Sequence, residues 1–253
     1  MRMPTNRLAR LLPPCAFFGV LVALAGCATY QTPGAAAPIG AMTTGSIAER
    51  MNVQPESPIP ATIAFSRIQA SGYRSYSSSG TDRSSFSLVG PKDLEDDEHL
   101  AAIQSWNDVV AVVRLTPIVV PENPDAIMAL REGAASLRAD IIAVYTVDTE
   151  FDVDDRDIGA LGIISLGLIP TRNAVVRSTI SLAFFDVRTG FCFGTVEASA
   201  EDDQLANAWT SRQAIDDCRR RVERRAFDLM LVDAGGLWSK IAESRKSVST
   251  AAR

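Results

Sequence analysis

The sequence predicts an α+β domain: one mixed β-sheet, helices mainly on one of its faces, and a long C-terminal helix. Three patterns lead there. Val175–Val187 and Phe191–Ala200 alternate apolar and polar residues, joined by Arg188-Thr189-Gly190, a tight turn with glycine where positive φ is wanted. Val109–Val120, Pro124–Leu137 and Ile141–Thr149 read as strand, helix and strand, and their short connections imply a right-handed parallel crossover. From Thr210 to about Ser244, Ile215, Cys218, Val222, Ala226 and Leu229 form an apolar stripe at helical spacing, with Gly235-Gly236 a place to kink or break.

The remaining elements follow in order. Ala61–Ile68 alternates Ile63 and Phe65 with small or polar residues, a first strand. Ser71–Ser85 is a Ser/Gly loop carrying Tyr73 and Tyr76. Such tyrosines can grip sugars or peptides, but the expected role is to pin the loop down. Phe86–Val89 is a short strand. Pro91–Trp106 reads as a helix with Asp93, Glu95, Asp96, Asp97 and Glu98 at its start, where the macrodipole favours acids. His99, the one histidine, follows them. A metal site with these carboxylates is one reading of it, and a solvated side chain is the expected one. Arg114 and Pro117 break the Val109–Val120 run into a buried strand with a bend. Asn123-Pro124 caps a helix whose Ile127, Leu130, Ala134 and Leu137 share a face.

Phe151–Asn173 departs from this regularity. Asp152, Asp154, Asp155 and Asp157 suggest calcium, but Arg156 and Ile163 occupy loop positions five and twelve, where oxygen ligands belong. The apolar run that follows, Ile158, Leu161, Ile163, Ile164, Leu166, Leu168 and Ile169, is too short to span a bilayer as a helix and carries three glycines before Pro170. It is a candidate interaction loop if exposed, or extra core if tucked over the sheet.

Two cysteines bear on the tertiary fold. Cys192 shares a strand face with Gly194, Val196, Ala198 and Ala200 by simple alternation, and Cys218 lies on the helix stripe that would cover a sheet. The pair Cys192–Cys218 is therefore a candidate disulfide, contributing about 3 kcal/mol, with two buried thiols as the alternative. Arg219, Arg220, Arg221, Arg224 and Arg225, interleaved with Asp216, Asp217 and Glu223, read as a solvated salt-bridged face.

The N-terminus carries Arg2, Arg7 and Arg10, no acid, and an apolar run from Ala16 to Ala25, the plan of a secretory signal. It ends in Leu24-Ala25-Gly26-Cys27, which resembles the lipobox of bacterial lipoproteins. The resemblance implies diacylglycerol on the Cys27 sulfur, cleavage before it, and acylation of the new amino group. Ala28 rather than aspartate implies passage to the outer membrane, with inner-membrane retention as the alternative. The expected organisation is a signal over 1–26, a lipidated flexible tether over 27–60 lifting the domain about 30 Å, one periplasmic domain over 61–245 and a disordered tail over 246–253. Removing the signal takes three arginines and no acid, so the net charge moves from −5 to −8, which argues against nucleic acid as partner.

No Ser/His/Asp set, P-loop, paired metal ligands or dinucleotide glycine pattern is present, so neither an enzyme nor a cofactor is expected. Ala126–Val147, with Ala139-Asp140 before an apolar strand, and Phe185-Asp-Val-Arg-Thr-Gly190 are similar to segments of the TolB amino-terminal domain and the curli-secretion lipoproteins, over about a third of the chain. The long alternating segments with which those lipoproteins build a shared barrel have no counterpart beyond the Ile158–Ile169 run, so a pore is not implied. The expectation is a non-catalytic binding, scaffold or assembly lipoprotein whose partner is another envelope protein. The alternatives are an oligomeric subunit of a secretion or export assembly and a glycan-acting hydrolase using the Tyr73/Tyr76 loop. The oligomeric state stays open.

Overall fold

A computed structural model describes residues 35–39, 45–74, 80–83, 85–90, 94–122, 126–155, 172–206 and 211–251. All of them belong to one unit, Gln31–Arg253. The fold is α+β. Its elements are α1 (Ile47–Asn52), β1 (Ala61–Ala70), β2 (Thr81–Arg83), β3 (Phe86–Val89), α2 (Asp97–Gln104), β4 (Val109–Arg114), α3 (Ala126–Ser136), β5 (Ile141–Asp155), β6 (Arg172–Asp186), β7 (Cys192–Ala206) and α4 (Ser211–Ala251).

The seven strands form one sheet in the order β2-β3-β1-β5-β6-β7, with β4 beside β1. β1 runs parallel to β4 and β5 and antiparallel to β3, so the sheet is mixed. β4 and β3 share one edge of β1, along Ala61–Phe65 and Arg67–Ala70 respectively. The expected parallel crossover from β4 through α3 to β5 is present and steps over β1. β5 and β6 pair without a break from Ile141↔Asp186 to Asp155↔Arg172.

Alternation along β1, β5 and β6 sends side chains to two cores. Ile63, Phe65, Ala143, Tyr145, Ile180 and Phe184 face α4, whose Val222, Phe227, Met230, Ala234 and Trp238 cover them, with Ile103 of α2 alongside. Ala64, Ile142, Val144, Ala183 and Phe185 face the other way, where Ile127, Leu130 and Ala134 of α3 cover them. Two helices thus lie on one face and α3 on the other. Gly133 lets α3 approach: a Cβ there would meet Val120 Cγ2 at 2.9 Å. α4 runs unbroken through Gly235-Gly236, and a Cβ on Gly235 would press Trp106 at 3.1 Å. The glycine pair therefore serves close packing rather than a kink.

Several boundaries differ from the sequence reading. α4 continues to Ala251, so most of the expected tail is helix. α2 is shorter than Pro91–Trp106 because Asp96, not Pro91, caps it through His99 N–H. β4 ends at Arg114, and a three-residue strand, β2, lies inside the expected Ser/Gly loop.

The tether requires a larger correction, because much of 27–60 is fastened to the domain. Ala36 bridges Gln69, Ala70 N–H donates to Ala35 O at 3.0 Å, and Ala37 N–H donates to Thr146 Oγ1 at 2.7 Å. β1 and β5 pair only to Ser66↔Val144, and beyond that point residues 35–37 and the Gln69 amide fill the gap. Gln69 accepts from Val147 N–H and donates to Val147 O, both at 2.8 Å, extending the ladder with a side chain. The backbone groups freed where two strands diverge need partners, and the backbone of the small-residue segment Ala35–Ala37 supplies them.

The Cys192–Cys218 disulfide is also corrected: both thiols are free. The register slips between Phe184↔Gly194 and Phe185↔Cys192, a bulge that inserts Phe193. One extra residue reverses the alternation. Cys192 therefore packs with the α3 core while Cys218 sits in the α4 core.

Candidate functional site

The bulge also helps to wall a groove of about 550 Å³. Its floor is one stripe of α4, Leu237, Ile241 and Val248, at helical spacing over three turns. One wall is Phe191 and Phe193, whose rings meet edge to face at 5.2 Å. Gly194 makes that wall possible. Its φ is +155°, and a Cβ would lie 3.3 Å from Leu237. The other wall is Gln54 and Pro55.

That second wall is held from a distance by Asp186. In the Asp186-Val-Arg-Thr-Gly190 turn, Oδ1 accepts Arg188 N–H at 2.8 Å and Thr189 N–H at 3.0 Å, while Oδ2 accepts Glu56 and Ser57 N–H, each at 2.7 Å. Burial pushes this carboxyl up, but the backbone donors of Ser57, Thr189 and Glu56 outweigh it and hold it below the usual range. Ser57 Oγ donates to Asp140 O at 2.6 Å, and Arg245 Nη2 donates to Ser57 O at 3.3 Å. The two short motifs of the sequence, Ala139-Asp140 and Asp186–Gly190, thus fasten one segment to the sheet end and to α4.

Lys240 and Arg245 flank the groove and Ser244 lies between them; among the described residues no acid lines it. Arg245 Nε is buried with no acceptor. A positive rim over an apolar floor stands out on a chain of net charge −5. A smaller pocket of about 200 Å³ lies on the other side of Phe191, between Arg50, Arg131 and Cys192. Burial raises the Cys192 thiol, opposing thiolate chemistry there.

Two polar networks are buried against the core. Tyr145 Oη donates to Glu95 Oε1 at 2.6 Å, and Arg114 Nε lies 3.8 Å from Glu95 Oε2. Burial raises both groups, the tyrosine well above its ordinary value. Across α4, Arg219 Nη1 donates to Glu223 Oε2 at 2.7 Å and Nη2 to Asp216 Oδ1 at 2.9 Å, while Thr149 Oγ1 donates to Glu223 Oε1 at 3.0 Å. Arg220, Arg221 and Arg224 are surface pairs, as the sequence reading had them, but Arg219 and Glu223 are buried. Their spacing with Val222, Ala226 and Phe227, all on one helical stripe, was the available signal.

The other sequence candidates resolve as follows. Tyr73 is buried, its hydroxyl accepting from Arg67 Nη2 at 3.2 Å, so it pins the loop. Tyr76 lies outside the described residues. So do Cys27 and the loop residues Ile158, Leu161, Ile163, Ile164, Leu166, Leu168 and Ile169. His99 is a clamp, not a solvated side chain: Nε2 lies 2.9 Å from Asp228 Oδ1, Nδ1 lies 2.7 Å from Asp96 Oδ1, and its ring meets Phe227 edge to face at 4.9 Å. Among the described residues, no group of three or more His, Cys, Asp or Glu side chains could hold a metal ion, and no helix is long and apolar enough to cross a membrane. The groove went unseen because its walls depend on the bulge at Gly194 and on the distant Asp186 staple.

No family model and no curated protein matches the chain. The chain is similar to a solved hypothetical protein from Chlamydia trachomatis, with a TM-score of 0.34 and 11% identity, over 70% of this chain and 96% of that one. A likeness of that size carries no argument about function.

Proposed function

We propose that this is an outer-membrane lipoprotein whose periplasmic domain is a non-catalytic binding or scaffold module for another envelope component. The observation that carries the reading is Leu24-Ala25-Gly26-Cys27 at the end of a short, arginine-led apolar run. The groove supports a binding role, since Leu237, Ile241, Phe191 and Phe193 offer a partner an apolar surface to cover. Labelling cells with an alkyne-bearing palmitate should mark the chain. Cys27→Ala should abolish the label and release the protein from the outer-membrane fraction. An unlabelled chain, or a Cys27→Ala chain still in that fraction, refutes the anchor.

A second reading, an oligomeric subunit of a secretion or export assembly, draws on the unbroken fifteen-residue strands β5 and β6 that lead to the Ile158–Ile169 run. Light scattering on the detergent-solubilised full chain tests it. A ring-sized oligomer that dissociates when Ile158–Ile169 is replaced by a polar linker supports this reading, and a monomer rejects it.

A further inference from the structure

We propose that the groove between α4, Gln54-Pro55 and Phe191–Phe193 binds a long-chain fatty acid, its alkyl chain along Leu237, Ile241 and Val248 and its carboxylate on Lys240 and Arg245. The shape suits one extended chain. From Arg245 over Ile241 to Leu237 the floor runs about 12 Å of helix at 1.5 Å per residue, and Val248 closes the other end. The cavity of about 550 Å³ falls within the range of small-molecule sites. Three aliphatic side chains, two phenylalanines and a proline form the apolar lining. Such a surface rewards an alkyl chain, which needs no hydrogen bonds, over a peptide, whose amides would need partners.

The charge fixes the head group. Among the lining residues both charged side chains are cations. Arg245 reaches Ser57 O with Nη2, while its Nε is buried with no acceptor. An arriving carboxylate pairs with these two cations at the groove rim, and a guanidinium fork matches a carboxylate in plane. Lys240 is exposed, a mobile point charge that closes on the head group without cost to the fold.

Cys27 is not among the residues that line the groove, so the Cys27→Ala chain should bind as the lipidated chain does. The test is photolabelling of the full-length Cys27→Ala chain with hexadecanoic acid bearing a mid-chain diazirine, followed by peptide mass mapping. The label should fall on peptides containing Phe191–Phe193 and Leu237–Val248, and hexadecanoic acid should compete where hexadecanol does not. Lys240→Glu, at an exposed position, should cut labelling about tenfold, and Lys240→Arg should retain it. Labelling spread over the chain, or unaffected by hexadecanoic acid or by Lys240→Glu, overturns the proposal and leaves the groove to a peptide or to a second copy of the chain.

Discussion

The carboxylate of Asp186 accepts the backbone N–H of Ser57 at 2.7 Å across 129 residues of sequence. The contact joins the turn of the β6–β7 hairpin to a segment that alternation and period leave blank. Asp186 is fully buried and accepts four backbone donors. Asp186→Asn would turn an amide N–H toward donors, costing about 2–4 kcal/mol and lowering Tm by roughly 5–15 °C. The sign of the pH dependence follows from a folded-state carboxyl held below its usual range. Its stabilisation is fully present above about pH 4, near the unfolded value, and is lost as pH falls through the folded value. Urea titrations should therefore show a constant gap between wild type and Asp186→Asn from pH 5 to pH 8, narrowing in acid.

Glu95 has the opposite sign. Burial raises it, ahead of the opposing contributions of Tyr145, Arg114, Arg67 and His99. An acid raised in the fold is stabilising while protonated, so its contribution declines as pH climbs from about 4.3 through the folded value. Wild type should lose stability across that rise and Glu95→Gln should not. Parallel slopes for the two proteins would show that Glu95 does not carry the effect.

The thiols offer a direct check of the bulge. Denatured without reductant, the chain should take alkylating reagent on both Cys192 and Cys218. In the native state Cys192, half-buried beside the smaller pocket, should react first, while Cys218 should react only as the fold opens. A bridged peptide in the unreduced digest would contradict the register.

Gly194 combines a φ of +155° with a Cβ contact to Leu237 at 3.3 Å. Gly194→Ala should cost about 1–3 kcal/mol in chemical denaturation and loosen the Phe193 wall.

Gln104 guards a sheet edge. Its amide donates to Val110 O at 2.8 Å and accepts from Val112 N–H at 2.9 Å, occupying the side of β4 that β1 leaves open. Val110 is exposed on that strand. Gln104→Ala should cost about 1 kcal/mol and release an edge prone to pair with another copy. Light scattering should then report concentration-dependent dimers absent from wild type.

Much of this fold was legible in local pattern. Alternation along Val175–Val187 and the Arg188-Thr189-Gly190 turn located the β6–β7 hairpin, and the stripe from Cys218 to Ala226 located α4. These signals are readable because strand and helix periods depend only on which face is buried. The Cys192 parity failed at one inserted residue. The Arg219–Glu223 pair looked like surface because charge alone does not report burial.

The residue order of this chain specifies the elements, their amphipathic faces and the lipobox-like stretch at Cys27, since each rests on neighbours within a few turns of chain. Which residues meet across the molecule rests on contacts between distant segments: residues 35–37 entering the sheet beside Gln69, Asp186 holding Ser57, Phe193 thrown out to wall a groove with Lys240 and Arg245. Buried backbone donors and acceptors must find partners wherever strands diverge or bulge, and the partners available are known only once the sheet has formed.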